Sequence, residues 1–239
     1  MQDKAKILEA KNITKIFQNG FGKKSICSLK NVDITLNEGE ILGLMGPSGC
    51  GKSTLARILL RLLPTDSGEV LWKGEAITKK CGHQLLAFQR GVQFIPQRPE
   101  SSFDPRLRLG KSVVEPLSFF KESWSEKNRK RLQVLLTQLS ISEELLGRYP
   151  HQVSGGEIQR LALCRALLLQ PEVLILDEST SMLDVSVQAQ MIQILADLQE
   201  KHHLSYLFIT HDRELANYFC NRIIVMEKGE ILKKGILQN

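Results

Sequence analysis

Residues Gly46-Pro47-Ser48-Gly49-Cys50-Gly51-Lys52-Ser53-Thr54 set glycines, a lysine and two hydroxyls in the spacing G-x-x-x-x-G-K-[ST]. Such a loop captures phosphate: glycines let the backbone wrap close to an anion, so that several N–H groups point inward at phosphate oxygens. The positive end of a following helix aims at the same place. Lys52 adds a point charge at the β- and γ-phosphates, and the Ser53 hydroxyl a ligand for Mg²⁺. Far downstream, Val173-Leu174-Ile175-Leu176 ends in two adjacent carboxylates, Asp177-Glu178. Asp177 is expected to hold Mg²⁺, directly or through water. Glu178, pointing to the other side of its strand, is expected to reach an attacking water as general base. An apolar run ending in Asp-Glu is by itself often just a strand meeting a loop. With the phosphate loop in the same chain, it reads as the metal and base half of a nucleoside triphosphate site.

The elements that must position these groups are legible around them. Ile41 to Met45 is a buried strand entering the loop, and Leu55, Ile58, Leu59 and Leu62 form one face of a helix leaving it. Short β-type runs occupy Ile7 to Lys15, Ser28 to Leu36 and Gly68 to Lys73, with turns at Asn19-Gly20, Asn37-Glu38-Gly39 and Pro64 to Gly68. They predict a mixed sheet that receives the phosphate-loop strand. A further strand, Gly91 to Ile95, ends at Pro96-Gln97. From about Arg98 to Gln170 the pattern is helical, with Leu132, Leu135, Leu136 and Leu139 on one face of Lys127 to Leu139. Then come strand Val173 to Leu176, helix Val185 to Lys201, strand Tyr206 to Thr210, and a hairpin of Arg222 to Met226 and Glu230 to Lys233 turning at Lys228-Gly229. The expected fold is α/β, with a nucleotide-binding core over residues 1–97 and 171–239 and a helical insertion over 98–170.

Between the two halves of the site lies Val153-Ser154-Gly155-Gly156-Glu157. Ser154 is an N-cap and Glu157 its capping-box partner, opening a helix from Ile158 to Leu169. Apart from two substitutions, the run matches the L-S-G-G-Q signature, and with it the chain resembles the nucleotide-binding subunits of ABC transporters along essentially its whole length. The fold this implies is the P-loop NTPase core of ABC ATPases, with ATP and Mg²⁺ as cofactors. In that family the signature helix binds the γ-phosphate of a nucleotide held by a partner subunit. Glu157 then replaces a neutral amide near that phosphate, or is taken up by the cap. The resemblance makes Gln97 the glutamine that contacts Mg²⁺ and links the site to membrane subunits. It makes Ser181-Met182-Leu183-Asp184 the loop crossing the dimer interface, with Asp184 in its acidic position. His211, closing Leu207 to Asp212, becomes the switch histidine on the γ-phosphate. Phe17 is expected to stack on adenine, with Phe21 as the competing ring.

Composition bounds the setting. The chain has 239 residues, 42% of them hydrophobic, as suits one large domain or a core with an inserted subdomain. No apolar run approaches the ~18–20 residues that span a bilayer, and Met1 to Lys6 leads into no signal-peptide core, so a cytoplasmic chain is expected. Five scattered cysteines, without a C-x-x-C pair, fit neither a zinc site nor a disulfide framework. Cys50, inside the phosphate loop, is either open to alkylation or simply a small loop residue. The net charge is +6, and its clusters at Lys23-Lys24, Lys79-Lys80, Lys127 to Arg131 and Lys233-Lys234 are short and not interleaved with aromatics. They suit a solvated surface near an anionic membrane face rather than a nucleic-acid groove, and no nucleic-acid partner is expected.

A lone cassette without coiled-coil arms or fused membrane helices resembles an importer subunit at the cytoplasmic face of the cell membrane. Pro96 to Arg106 and Tyr149-Pro150-His151-Gln152 resemble the peptide and nickel importer group. The stop at Asn239, together with Leu207 to Asp212 and Phe219-Cys220-Asn221-Arg222, resembles the nickel-type subunit more than the peptide type. The partners this implies are a second ATPase of different sequence in a head-to-tail dimer, two permease subunits and an extracytoplasmic binding protein. Two other readings stay open here: a soluble ATPase regulating nucleic acid or protein, and a kinase that merely shares the loop.

Overall fold

The computed structural model describes residues 5–18, 25–178, 184–232 and 237–238. In chain order the strands and helices begin with β1 (Lys6–Phe17), β2 (Ile26–Asn37), β3 (Ile41–Met45), α1 (Lys52–Leu59), β4 (Ser67–Trp72) and β5 (Glu75–Ala76). The middle holds α2 (Gly82–Gly91), β6 (Val92–Ile95), α3 (Leu109–Phe119), α4 (Glu126–Gln138) and α5 (Gly155–Leu167). The last part holds β7 (Val173–Asp177), α6 (Val185–His202), β8 (Ser205–Ile209), α7 (Arg213–Phe219), β9 (Arg222–Glu227), β10 (Glu230–Ile231) and β11 (Leu237–Gln238).

The expected mixed sheet divides into two. An antiparallel sheet runs β2-β1-β4-β5, and a second runs β10-β9-β3-β8-β7-β6, with β11 on β9. In the second sheet β9, β3, β8, β7 and β6 are all parallel. The phosphate-loop strand β3 therefore leaves its sequence neighbours and sits between β9 and β8. Burial explains the choice. β7 and β8 are buried at every position, and β3 at all but its last, as parallel strands covered on both faces must be. On β7, Val173 and Ile175 join one apolar cluster while Leu174 and Leu176 join the other. β1 mixes buried and exposed positions and pairs with β2 through repeated register shifts, which suits a sheet with one wet face.

The region from Arg98 to Gln170 is helical, as the periodicity predicts, and Leu132, Leu135, Leu136 and Leu139 are buried. They share one apolar cluster with Ile41, Leu174 and Tyr206 of the sheet. One expected core residue is corrected. Leu62 is 66% exposed, because α1 ends at Leu59 and Arg61 takes a left-handed backbone (φ 56°) that turns the chain away. The helix α2 and the helix α7 are additions to the sequence reading. α2 takes in Gly91, expected at the start of a strand. The turn at Asn19-Gly20 and the basic pairs Lys23-Lys24 and Lys233-Lys234 lie outside the described residues.

Candidate nucleotide site

The turn from β3 into α1 is held open from behind. At Gly51, the N-cap of α1, φ is 114°, and a Cβ would meet the Ser28 carbonyl oxygen at 2.7 Å, so only glycine fits. α4, α5, α6 and α7 are each capped by a Ser or Asp side chain, whereas α1, like α2 and α3, has no side-chain cap and no acid in its first turn. Beside it the loop is open: a Cβ added at Gly49 would touch nothing within 4 Å. That arrangement fits an anion. Lys52 is buried and folds back to donate to the Gly46 carbonyl at 2.8 Å and the Pro47 carbonyl at 3.0 Å. It bridges the loop and keeps its charge there. Pro47 and Ser48 complete the loop's outer turn, and Cys50 is buried rather than open to alkylation.

The parallel sheet delivers four further side chains to this spot from the carboxyl ends of its strands, where open α/β sheets place their ligands. Gln97, just past β6, donates through Nε2 to Glu178 Oε2 at 2.8 Å. His211, just past β8, brings Nδ1 to 3.7 Å from Glu178 Oε1, and Lys52 Nζ stands 4.0 Å from the same oxygen. Asp177 ends β7, hydrogen-bonded to Ser53, and burial pushes its carboxyl above the ordinary range. Strand alternation predicts that Glu178 points away from Asp177. β7 stops at Asp177, and Glu178, with a left-handed backbone (φ 45°), brings its carboxylate to 4.0 Å from Lys52 Nζ. Both acids thus converge on the first two residues of α1.

Other expected residues fall into two places. Phe17 ends β1 opposite Ile26, two residues from the Ser28 carbonyl that abuts Gly51. It is 37% exposed, with Lys15 Nζ 5.7 Å from its ring centre. The competing Phe21 lies outside the described residues, as do Ser181, Met182 and Leu183. The second place is the start of α5. Ser154 N–H and Oγ–H donate to Glu157 Oε2 at 2.7 and 2.8 Å, and Glu157 N–H donates to Ser154 Oγ at 3.3 Å. The acid is thus drawn into the cap, and these bonds hold its carboxyl below the ordinary range. Beside it, Asp184 caps α6 by accepting from Val187 N–H at 3.0 Å and Ser186 Oγ at 2.7 Å. A Cβ on Gly156 would lie 3.0 Å from Val187, while Gly155 faces open space. The signature and Asp184 therefore form one corner.

The ABC transporter family pattern matches residues 29–181. The chain belongs to the ABC transporter ATP-binding family. Membership carries ATP as ligand, Mg²⁺ as its companion ion and ATP hydrolysis as the reaction class. The chain is 37% identical over 213 residues to the oligopeptide transport ATP-binding protein OppF of Haemophilus influenzae, matching 89% of this chain and 64% of that one. It is 37% identical over 235 residues to OppF of Streptococcus mutans, matching 98% of this chain and 76% of that one. It thus spans about two thirds to three quarters of the length of these relatives. Among solved structures, the dimeric structure of MJ0796, a bacterial ABC transporter cassette, superposes with a TM-score of 0.85 at 32% identity, over 95% of this chain and 97% of that one. Among the described residues no helix is long and apolar enough to cross a membrane.

Sequence reasoning passed over the supports behind the loop. Ser28 Oγ lies 3.2 Å from Thr54 Oγ1, and Gly229 N–H donates to the Cys50 carbonyl at 3.0 Å. Neither has a local signal, because each partner comes from a distant strand.

Proposed function

We propose that this chain is the ATP-hydrolysing subunit of an ABC importer, working at the cytoplasmic face of the membrane on a peptide-type cargo. The observation that carries the reading is the convergence of Lys52, Ser53, Gln97, Asp177, Glu178 and His211 beside an uncapped helix start. Gly46 to Thr54 cradle the phosphates and Phe17 faces the adenine. Ser53, Asp177 and Gln97 would hold Mg²⁺, which would supply charge neutralisation to the phosphates. Glu178 accepts a proton from the attacking water at Oε1, while Gln97 holds Oε2. Lys52 and His211 steady the phosphoryl group as negative charge shifts toward the leaving oxygen.

Ser154, Gly155, Gly156 and Glu157, with Asp184, meet the nucleotide of a second ATPase subunit, placed head to tail and of different sequence. ATP closes that dimer and hydrolysis reopens it. Residues 98–170 act as the moving part. Beside them an apolar groove of about 550 Å³, with Leu62, Phe94, Phe119 and Phe120 among its lining, is offered to the permease. Two permease subunits and an extracytoplasmic binding protein complete the importer.

Peptide cargo is supported by the relatives named for oligopeptide transport. Nickel, favoured by the runs at Leu207 to Asp212 and Phe219 to Arg222, is the second reading. Uptake of radiolabelled oligopeptides and of nickel in the native host, with the wild-type gene or Glu178→Gln, tests both. Collapse of peptide uptake alone supports the first, collapse of nickel uptake alone the second. If neither changes, the importer reading falls.

A further inference from the structure

We infer that the turn between β9 and β10 is a positioning element for the phosphate loop, acting through the backbone of Gly229. The inference rests on the reading of that loop as the nucleotide site.

The turn residues Lys228 and Gly229 both have positive φ, 47° and 81°, the tight hairpin geometry in which glycine is favoured. The hairpin does more than reverse the chain. Gly229 N–H donates to the Cys50 carbonyl at 3.0 Å, and the Gly229 carbonyl accepts from Lys30 N–H at 2.8 Å. An ion pair of 2.7 Å between Lys30 and Glu230 runs alongside. The turn is thus bonded to the phosphate loop on one side and to β2 on the other.

The bond to Cys50 sets a direction. The Cys50–Gly51 peptide unit is planar and trans, so its C=O and N–H point opposite ways. Anchoring the Cys50 carbonyl on the hairpin turns the Gly51 N–H the opposite way, away from the hairpin at the start of α1. Gly229 therefore fixes the aim of one of the donors expected to meet phosphate, from a separation of about three quarters of the chain in sequence.

Space around the turn leaves no room for adjustment. A Cβ at Gly229 would sit 2.6 Å from the Ser28 carbonyl oxygen, the same oxygen that a Cβ at Gly51 would meet at 2.7 Å. The loop also leans on β9 itself, since a Cβ at Gly46 would collide with the Met226 carbonyl oxygen. Any side chain at position 229 must push the hairpin off Ser28 and lengthen the bond to Cys50.

Gly229→Ala in the full chain tests this, with binding of ATP and Mg²⁺ followed by titration calorimetry and the ATPase rate fitted for KM and kcat separately. The expected result is a dissociation constant and a KM raised about tenfold, the scale of one mis-aimed charge-assisted hydrogen bond, with kcat nearly kept. A lowered melting temperature with affinity per folded molecule unchanged would mean a purely structural turn and overturn the inference. Should the variant not fold, hydrogen exchange of the Gly229 amide in the wild-type protein decides. Slower exchange with ATP bound supports the coupling, and exchange unaltered by ATP overturns it. A wild-type chain that binds no ATP would sink the nucleotide reading itself, and the positioning role with it.

Discussion

The phosphate loop and the signature corner both begin a helix, and they are finished in opposite ways. At α1 the helix start has no side-chain cap, and Lys52 bonds to carbonyls of its own loop. At α5 a serine and a glutamate cap the helix reciprocally within four residues. The first place draws its side chains from the ends of β3, β6, β7 and β8. The second is satisfied locally and offers only the open side of Gly155 to anything outside. The difference at α1 is not the missing cap alone, which α2 and α3 share, but the lysine and two carboxylates gathered beside its first turn.

The largest expected effect separates chemistry from assembly. Glu178→Gln should lower ATP hydrolysis by ~10²–10⁴-fold, the usual cost of losing a general base. It should also accumulate an ATP-bound dimer on gel filtration. Wild-type turnover would remove Glu178 from the mechanism.

Asp177→Asn should lower Mg²⁺-dependent hydrolysis by about 10²-fold, within the range seen for a lost electrostatic stabiliser. The same change should stabilise the nucleotide-free chain by roughly 1 kcal/mol, because it removes a charge that burial disfavours. Denaturant melts without nucleotide check this, and a destabilised variant would contradict it.

Gly155→Asp tests the comparison most directly. No atom lies within 4 Å of the added Cβ, and an acid in the first turn suits the helix dipole. Folding and ATP affinity of the single chain should therefore be unchanged. Hydrolysis in the assembled ATPase should fall about tenfold, through repulsion of the partner's nucleotide. Loss of affinity in the isolated chain would merge the two places into one.

The smallest effect is Glu157→Gln. Glutamine keeps the capping-box shape and should cost a few tenths of a kcal/mol at neutral pH by losing charge at the helix start. Glu157 is held below its ordinary value, so its contribution is full above the unfolded carboxylate range and fades as pH falls through the lowered folded value. The stability difference between wild type and variant should therefore close in acid. A difference constant from neutral pH to below pH ~3 would count against the cap.

Much of this was legible in the residues. The spacing Gly46 to Thr54 names the loop, and Ser154 to Glu157 spells its own cap, since both are short-range patterns. The buried face of α4 follows from its leucines. Leu62 was misread because periodicity does not register the left-handed Arg61 that ends the helical register. The left-handed backbone at Glu178 was not legible, because alternation presumes a strand that has already stopped.

By itself, the sequence determined the parts whose meaning lies within a few residues: the phosphate loop, the cap of α5, the apolar strands and the family to which they belong. Tertiary structure alone decided that β3 lies between β9 and β8, that Gln97 and His211 close on Glu178, and that Gly229 braces Cys50. The reason is physical. Local hydrogen bonds and periodicity are written in neighbouring residues, whereas strand order follows from burying apolar faces on both sides of a parallel sheet, and no short window of sequence contains that choice.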